Sequence, residues 1–532
     1  MTPLLKNNWF LAIITGLALW LAWPPFTSAF FLLFVALVPL FYITHKVQLS
    51  DEKRKASKIF RIVFISFMIW NIPTTYWIWN ASGIGAVVAV LLNSLLMSLP
   101  FVAFIKTLKW NRKWLSYIAF IAYWIAYEYF HLNWDLSWPW LNLGNGFSEW
   151  PAIIQWYEYT GTFGGTLWIL IVNILGYEAL NSYKENKALF RKTATLFAAA
   201  LLIPIGCSLT RYFTYKEEIS PVNIVVVQPN IDPYSEKFSS SNAEQMSKML
   251  DLSDSLGKPN TEFFIWPETA LPDNIWEDNL TNSTEVKNIQ LFLSNYKNGN
   301  LITGATTGRQ YTTESTTSAR HFQGGECCYD LFNTGLQVEN SGKIQIYHKS
   351  KLVPGVEKMP FPALFNFLEP LALKLGGTTG SLGSQKERTV FYSQNGVGVA
   401  PVICYESIYG EFVAEYIRNG AQMIVIMTND GWWGNTPGYH QHASYARLRA
   451  IETRRAIARS ANTGISSFIN QRGDIMEQSN WGKATALSAD INLNSNLTFY
   501  SKHADYIAYL GCAAALLFLF FQLLSPYLLK SI

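Results

Sequence analysis

Phe264-Ile265-Trp266-Pro267-Glu268-Thr269 reads as an apolar strand that a proline stops and a carboxylate follows. Proline has no N–H to give a ladder, so the strand ends there. Open α/β sheets place their chemistry at the carboxyl ends of strands, where Glu268 falls. Two further segments repeat this design. Val402-Ile403-Cys404-Tyr405-Glu406 delivers a cysteine at the end of an apolar run, beside a second acid. His348-Lys349-Ser350-Lys351-Leu352-Val353-Pro354 follows the strand-like run 343–347.

Around these segments, short β-branched runs alternate with helical patterns. Strands are predicted over 222–228, 262–266, 301–303, 396–404, 423–427 and 465–469. Helices are predicted over 242–256, 285–296 and 442–460. Alternation of this kind, with apolar strands, predicts a layered α/β domain with buried sheets over residues 221–494.

The rest of the chain has another character. Of 532 residues, 50% are hydrophobic and only 15% charged, against about 25% charged in an average soluble protein. Aromatic residues make up 15%, including 20 Trp. Residues 9–44 form an apolar stretch broken at Pro24-Pro25, long enough for two helices, since a span needs about 20 residues. Further apolar segments cover 59–79, 84–105, 115–129, 164–180, 193–207 and 506–524. Eight transmembrane helices follow: seven in a membrane domain over 1–215, and one in a C-terminal segment over 505–532 that ends in a short tail.

Loop charge orients them. Lys46, Lys53, Arg54, Lys55 and Lys58 follow the second helix. Lys106, Lys109, Arg112 and Lys113 follow the fourth, and Lys184, Lys187, Arg191 and Lys192 the sixth. The alternate loops, 24–29, 71–83 and 131–161, hold no Lys or Arg. The positive-inside rule puts both termini in the cytoplasm and the α/β domain outside it. The loop 131–161 carries Trp134, Trp138, Trp140, Trp150 and Trp156. These rings suit either interfacial anchoring or the wall of a lipid-facing cleft.

A formal net charge of +4 is too small to argue for a nucleic-acid partner. Five scattered cysteines without a C-x-x-C pair exclude zinc-ribbon and thioredoxin-like patterns. Adjacent Cys327 and Cys328 are open to a vicinal disulfide or to two thiols. His440 and His442 lack a third ligand, so no metal and no cofactor is expected. Arg447, Arg449, Arg454 and Arg455 suit a salt-bridged helix or a phosphate contact.

An acid, a lysine and a cysteine make a complete acyl-transfer set without histidine. A thiol is only a few per cent thiolate at pH 7, so a carboxylate that takes its proton during attack has work to do. A fixed ammonium stabilises the oxyanion that attack on a carbonyl creates. The apolar segment 359–374 directly follows this lysine and suits an amphipathic flap resting on a membrane surface. Gly376, Gly377, Gly380 and Gly383 after it would permit a hinge.

W-P-E at 266–268, K-x-x-L-V-P at 349–354 and I-C-Y-E at 403–406, in this order, resemble the carbon–nitrogen hydrolase (nitrilase) superfamily. With membrane helices on both sides, the whole chain resembles its membrane-bound apolipoprotein N-acyltransferase branch. The likeness extends to Val227-Gln228-Pro229-Asn230-Ile231 and Tyr329-Asp330-Leu331-Phe332-Asn333-Thr334. It also takes in Asn429-Asp430-Gly431-Trp432-Trp433-Gly434, Gln441-His442 and 446–450.

The resemblance implies an α-β-β-α sandwich on the outer face of a bacterial cytoplasmic membrane. It implies Glu268 as base, Lys349 as oxyanion stabiliser and Cys404 as nucleophile. Glu357, Tyr405, Glu406, Asn333 and Trp432 support them. Many relatives have P-F-G-E where this chain has Pro354-Gly355-Val356-Glu357, so Glu357 is expected to keep its role from a different local turn. The implied reaction carries an acyl chain from a membrane phospholipid, through a Cys404 thioester, to the N-terminal amine of a diacylated apolipoprotein. The rival expectations are a membrane-tethered amidase acting on a small amide, and a catalytically inert membrane receptor.

Overall fold

The computed structural model describes residues 7–110, 112–183, 186–236, 241–313, 316–322, 327–361 and 381–528. The chain divides into two compact units.

The first unit draws on Met1–Trp79, Gly83–Thr214 and Asp505–Ile532. It is helical throughout. Among the described residues, six segments are long and apolar enough to cross a membrane: Ser28–Leu49, Lys55–Thr75, Gly83–Thr107, Tyr157–Ser182, Lys187–Thr214 and Tyr506–Leu524. Helix Asn8–Leu21 is shorter, at 14 residues. Helix Lys113–Leu132 has 20 residues but is rich in Tyr and Trp and buries Glu128 and His131.

Local causes are visible at two places. The stretch 9–44 breaks because a 3-10 turn, Thr27–Phe34, separates helix Asn8–Leu21 from helix Val38–Leu49. Asn173 repairs that break: its Nδ2 donates to the Leu33 carbonyl at 2.7 Å and its Oδ1 accepts the Leu37 amide at 2.8 Å. Small residues let helices approach closely. A Cβ on Gly16 would stand 2.5 Å from the Ser66 carbonyl, and one on Gly511 would stand 2.5 Å from Ile125.

The tryptophan-rich loop is not a loose belt. Trp140 is fully buried, ring-stacked on Trp138 at 5.2 Å, and residues 139–148 pack inside the unit. Buried Glu128 holds them there, accepting from the Leu143 amide at 2.8 Å, Trp124 Nε1 at 3.0 Å and Thr166 Oγ1 at 2.7 Å.

The second unit comprises Asn80–Ser82 and Tyr215–Ala504. Its strands are β1 (Pro221–Gln228), β2 (Thr261–Ile265), β3 (Leu271–Trp276), β4 (Asn300–Tyr311), β5 (Arg320–His321), β6 (Cys328–Glu339) and β7 (Ile344–His348). Then follow β8 (Phe391–Tyr392), β9 (Gly398–Ile403), β10 (Met423–Thr428), β11 (Ile457–Ala461), β12 (Ser467–Ile469), β13 (Ile475–Gln478) and β14 (Thr485–Asn492). One sheet runs β14-β1-β2-β4-β6-β5, with β3 on β4 and β7 on β6. The other runs β13-β12-β11-β10-β9-β8.

The sheets meet face to face. Ser460 Oγ on β11 donates to the Val227 carbonyl on β1 at 2.7 Å, and a Cβ on Gly335 would reach Met427 Cε at 3.1 Å. Helices Asn242–Leu256 and Thr284–Leu293 cover the outside of the first sheet over Val225, Phe264, Trp266 and Leu301. Helix Gly410–Arg418 packs on β9 and on helix Pro437–Thr453. One unit is an α-β-β-α sandwich and the other is helical, with several apolar helices.

Some sequence expectations need correction. The helix expected over 442–460 is Pro437–Thr453, followed by a strand, β11. Arg454 takes a left-handed conformation (φ 50°) and ends the helix. Ile457–Ala461 then pairs in parallel with β10, an alternative that local propensity does not reveal. The short strand expected at 301–303 is one arm of a long antiparallel pair, Asn300–Tyr311 against Cys328–Glu339. Buried Arg449 and Arg455 are not phosphate ligands: Arg449 pairs with Glu452 at 2.7 Å, and Arg455 donates to the carbonyls of Ala421, Thr453 and Asn496. Cys327 and Cys328 are joined by a disulfide. Residues 362–374 of the expected flap, and Gly376, Gly377 and Gly380, lie outside the described residues.

Candidate active site

Four strands end at one place. β2 leads into Glu268, β7 into Lys349, β9 into Cys404 and β10 into Asn429-Asp430. The first two belong to one sheet and the last two to the other, so packing the sheets brings their carboxyl ends together.

Lys349 is buried between two carboxylates. Its Nζ donates to Glu268 Oε1 at 2.9 Å and to Glu357 Oε1 at 2.8 Å. Asn333 Nδ2 bridges the same two oxygens, at 2.8 Å and 2.9 Å. Glu357 is reached by a tight turn in which Gly355 has φ 79°, and its Oε2 accepts the Val353 amide at 2.9 Å. The acid therefore meets the lysine although the glycine stands one place earlier than in P-F-G-E.

Cys404 opens the 3-10 turn Cys404–Ile408 with φ at 49°, a region few non-glycine residues occupy. Its thiol faces the Glu268 carboxylate and helps to lower it. Glu268 itself rests on Gly304, where a Cβ would stand 2.6 Å from Glu268 Cα and 2.4 Å from the Thr269 nitrogen.

The charges follow from these neighbours. Burial alone would raise the Glu268 carboxyl, but the Lys349 ammonium, the Asn333 bond and the Cys404 thiol leave it below its ordinary value. Burial opposes charge on Lys349 as well, yet Glu268 and Glu357 hold its ammonium well above the ordinary value. Burial and the Glu268 charge push the Cys404 thiol well above its ordinary value, with Lys349 only partly offsetting them. The resting site is thus a carboxylate beside a neutral thiol, not a preformed thiolate. Glu268 is the carboxylate placed to accept a proton from that thiol.

Glu406 is fully buried and joins the two halves. Its Oε2 accepts the Ile403 amide at 2.9 Å. Its Oε1 accepts the Tyr347 hydroxyl at 2.6 Å and the amides of Ser350 and Lys351 at 2.6 Å and 3.2 Å. Burial raises this carboxyl, and those donors oppose the rise. Tyr405 is buried and packs edge-on to Tyr409 at 5.4 Å. Trp432, half-buried in the turn Asp430–Trp433, meets the Tyr234 ring at 5.3 Å.

Sequence reasoning missed two groups. His348 stacks on Phe332 at 3.9 Å and pairs with Glu277 at 2.5 Å, anchoring the residue before Lys349. Behind Cys404, His442 contacts Asp430, Ser407 and the Cys404 carbonyl. In the sequence His442 stood as half of an incomplete metal pair and within the motif Gln441-His442, with no role assigned to it. Among the described residues no cluster suits a metal ion.

Comparison with known proteins divides the chain as the structure does. Residues 15–175 match the family model of the apolipoprotein N-acyltransferase N-terminal domain, and residues 223–496 match that of carbon–nitrogen hydrolase. An apolipoprotein N-acyltransferase of Chlorobaculum tepidum is 31% identical over 97% of this chain and 97% of its own. One of Geobacter metallireducens is 25% identical over 96% and 94%, and one of Thermotoga maritima is 24% identical over 96% and 93%.

Proposed function

The chain belongs to the apolipoprotein N-acyltransferase family of carbon–nitrogen hydrolases, and on that premise we propose that it acylates the N-terminal amine of diacylated apolipoproteins with a chain taken from a membrane phospholipid. The observation that carries the mechanism is the Lys349 ammonium between Glu268 and Glu357, with the Cys404 thiol facing Glu268.

In the first half-reaction Cys404 Sγ attacks the ester carbonyl of the phospholipid. The thiol proton passes to Glu268, and Lys349 faces the oxyanion. The carbon–oxygen bond breaks, Glu268 returns the proton to the leaving alkoxide, and a lysophospholipid departs. In the second, the α-amine of the diacylglyceryl-cysteine attacks the thioester. A carbon–nitrogen bond forms, the carbon–sulfur bond breaks, and the amine proton passes through Glu268 to the thiolate. The covalent intermediate makes the kinetics ping-pong. Asn333 and Glu357 keep Lys349 in place, and Glu406 and Tyr405 support the turn Cys404–Ile408 that carries the nucleophile.

The protein is a membrane protein. We place it in the bacterial cytoplasmic membrane with both termini inside, a membrane domain over 1–215, the catalytic domain over 221–494 outside, and a last helix within 505–532. The support is the alternation of basic and uncharged loops. Protease protection of residues 221–494 in right-side-out vesicles would overturn this topology.

The chemical reading is tested by mass spectrometry of the purified chain mixed with phospholipid. A fatty-acyl adduct on Cys404, discharged by a diacylated lipopeptide amine, is the expected result. An adduct discharged only by water would instead identify a hydrolase, and no adduct would leave an inert receptor.

A further inference from the structure

We infer that Asp430 and His442 are positioning residues for the nucleophile, clamping the Cys404 carbonyl together with Ser407. The inference rests on Cys404 being the nucleophile. A non-glycine residue held at φ 49° persists only where its surroundings over-determine it. Those surroundings are present and dry. Ser407 Oγ donates to the Cys404 carbonyl at 2.8 Å. His442 Nε2 lies 3.2 Å from the same carbonyl and 3.1 Å from Ser407 Oγ. Asp430, His442, Ser407 and Arg459 are all buried.

Asp430 sets which way the imidazole faces. Its Oδ1 stands 2.9 Å from His442 Nδ1 and accepts the Thr428 hydroxyl at 3.0 Å, while its Oδ2 accepts from Arg459 Nη2 at 2.8 Å. Arg459 Nη2 also lies 3.1 Å from His442 Nδ1. For Nδ1 to donate to Asp430 while Nε2 donates to the Cys404 carbonyl, the imidazole carries a hydrogen on both nitrogens, in an ion pair with Asp430. That leaves Nε2 toward the elbow. Burial disfavours the Asp430 charge, but Arg459 and His442 bring its carboxyl down to about 2, so this anchor stays ionised. Gly464 makes room for it: a Cβ there would stand 2.7 Å from Asp430 Oδ2.

The consequence reaches the reacting atoms through one peptide unit. The Cys404 carbonyl and the Tyr405 N–H lie in one plane and point in opposite directions. Holding that carbonyl from behind sets the direction of the Tyr405 N–H and the turn from which Cys404 Sγ projects toward Glu268. The clamp residues act through Cys404.

The test is rapid-quench mass spectrometry of acyl-Cys404 formation in the full-length, detergent-solubilised chain, with phosphatidylethanolamine micelles at varied concentration. In His442→Phe the saturating rate should fall by about a hundredfold, the scale of an ångström misplacement, with the half-saturating lipid concentration unchanged. His442→Gln, which keeps a donor, should recover most of the rate. Wild-type rates in His442→Phe, a change confined to half-saturation, or no recovery in His442→Gln would each overturn the clamp. If His442→Phe does not fold, Ser407→Ala removes the other donor to the same carbonyl, and an unchanged saturating rate there would sink the idea. A wild-type chain that forms no adduct would refute the nucleophile assignment instead.

Discussion

Glu406 Oε1 accepts the Ser350 amide at 2.6 Å, tying the residue after Lys349 to the residue two past Cys404. With Ile403 on its other oxygen, this one carboxylate spans both sheets. Glu406→Gln preserves shape but turns an NH2 group toward one of those amides. An unsatisfied buried donor costs about 1–3 kcal/mol. Chemical denaturation should show a loss of that size, and acyl transfer should fall with it. A variant as stable and as active as the parent would mean that the tie is dispensable.

Glu268→Gln should separate base chemistry from packing. The amide oxygen can still accept from Asn333, so the fold should hold. Losing general-base assistance typically costs about 10²–10⁴-fold. Acyl-Cys404 formation, followed by intact mass, should slow on that scale while phospholipid half-saturation changes little.

The site's charges predict a pH signature. Cys404 sits well above the ordinary thiol value of 9.0, so its alkylation by iodoacetamide at neutral pH should be slower than that of a free cysteine and should climb only in strongly alkaline buffer. Lys349→Met removes the stronger of the two groups that lower the thiol, Thr428 being the other, and should slow alkylation further. Stability follows the same logic. Glu268 is depressed below 4.5, so its contribution is present above that value and is lost as pH falls through the lower folded value. Lys349 is raised above 10.5, so its contribution is complete below that value and is lost as pH rises through the higher folded one. Thermal melting across this range should show the acid limb shrink in Glu268→Gln.

Gly304→Ala tests the floor under Glu268. The new methyl would meet backbone atoms of Glu268 and Thr269 at 2.6 Å and 2.4 Å, and backbone gives way poorly. Overpacking of this kind costs about 1–3 kcal/mol. Activity should drop by more than the unfolded fraction explains, because Glu268 itself must shift. Crystallographic or kinetic equivalence with the parent would contradict the geometry.

Much of the site was legible before any coordinates. Pro267 and the β-branched run before Cys404 are local signals, because each depends on where a strand ends, whereas Glu357 was reached only through its place in the family motif. Ser407 and His442 carried no such signal, and Asp430, though it follows the end of β10, entered only as part of a motif. Asp430 and His442 are separated along the chain by a turn and part of a helix, and their value arises only where Asp430 meets Nδ1 at 2.9 Å. The expected helix through Ser460 failed for a related reason. Helix propensity acts along the chain, whereas β11 is held by Ile424, Val425 and Ile426 on β10.

By itself the sequence determined the division into apolar helices and a layered α/β unit, since hydropathy and strand–helix alternation are properties of neighbouring residues. It also singled out Glu268, Lys349 and Cys404 as candidates, because each follows the end of a strand. Only the tertiary structure decided what those residues are to one another. Two sheets had to pack before Lys349 could sit between Glu268 and Glu357, before burial could keep the Cys404 thiol neutral, and before Glu406 and His442 could hold the elbow from behind. Electrostatics and hydrogen bonds act through space over a few ångströms, and the chain order does not contain those distances.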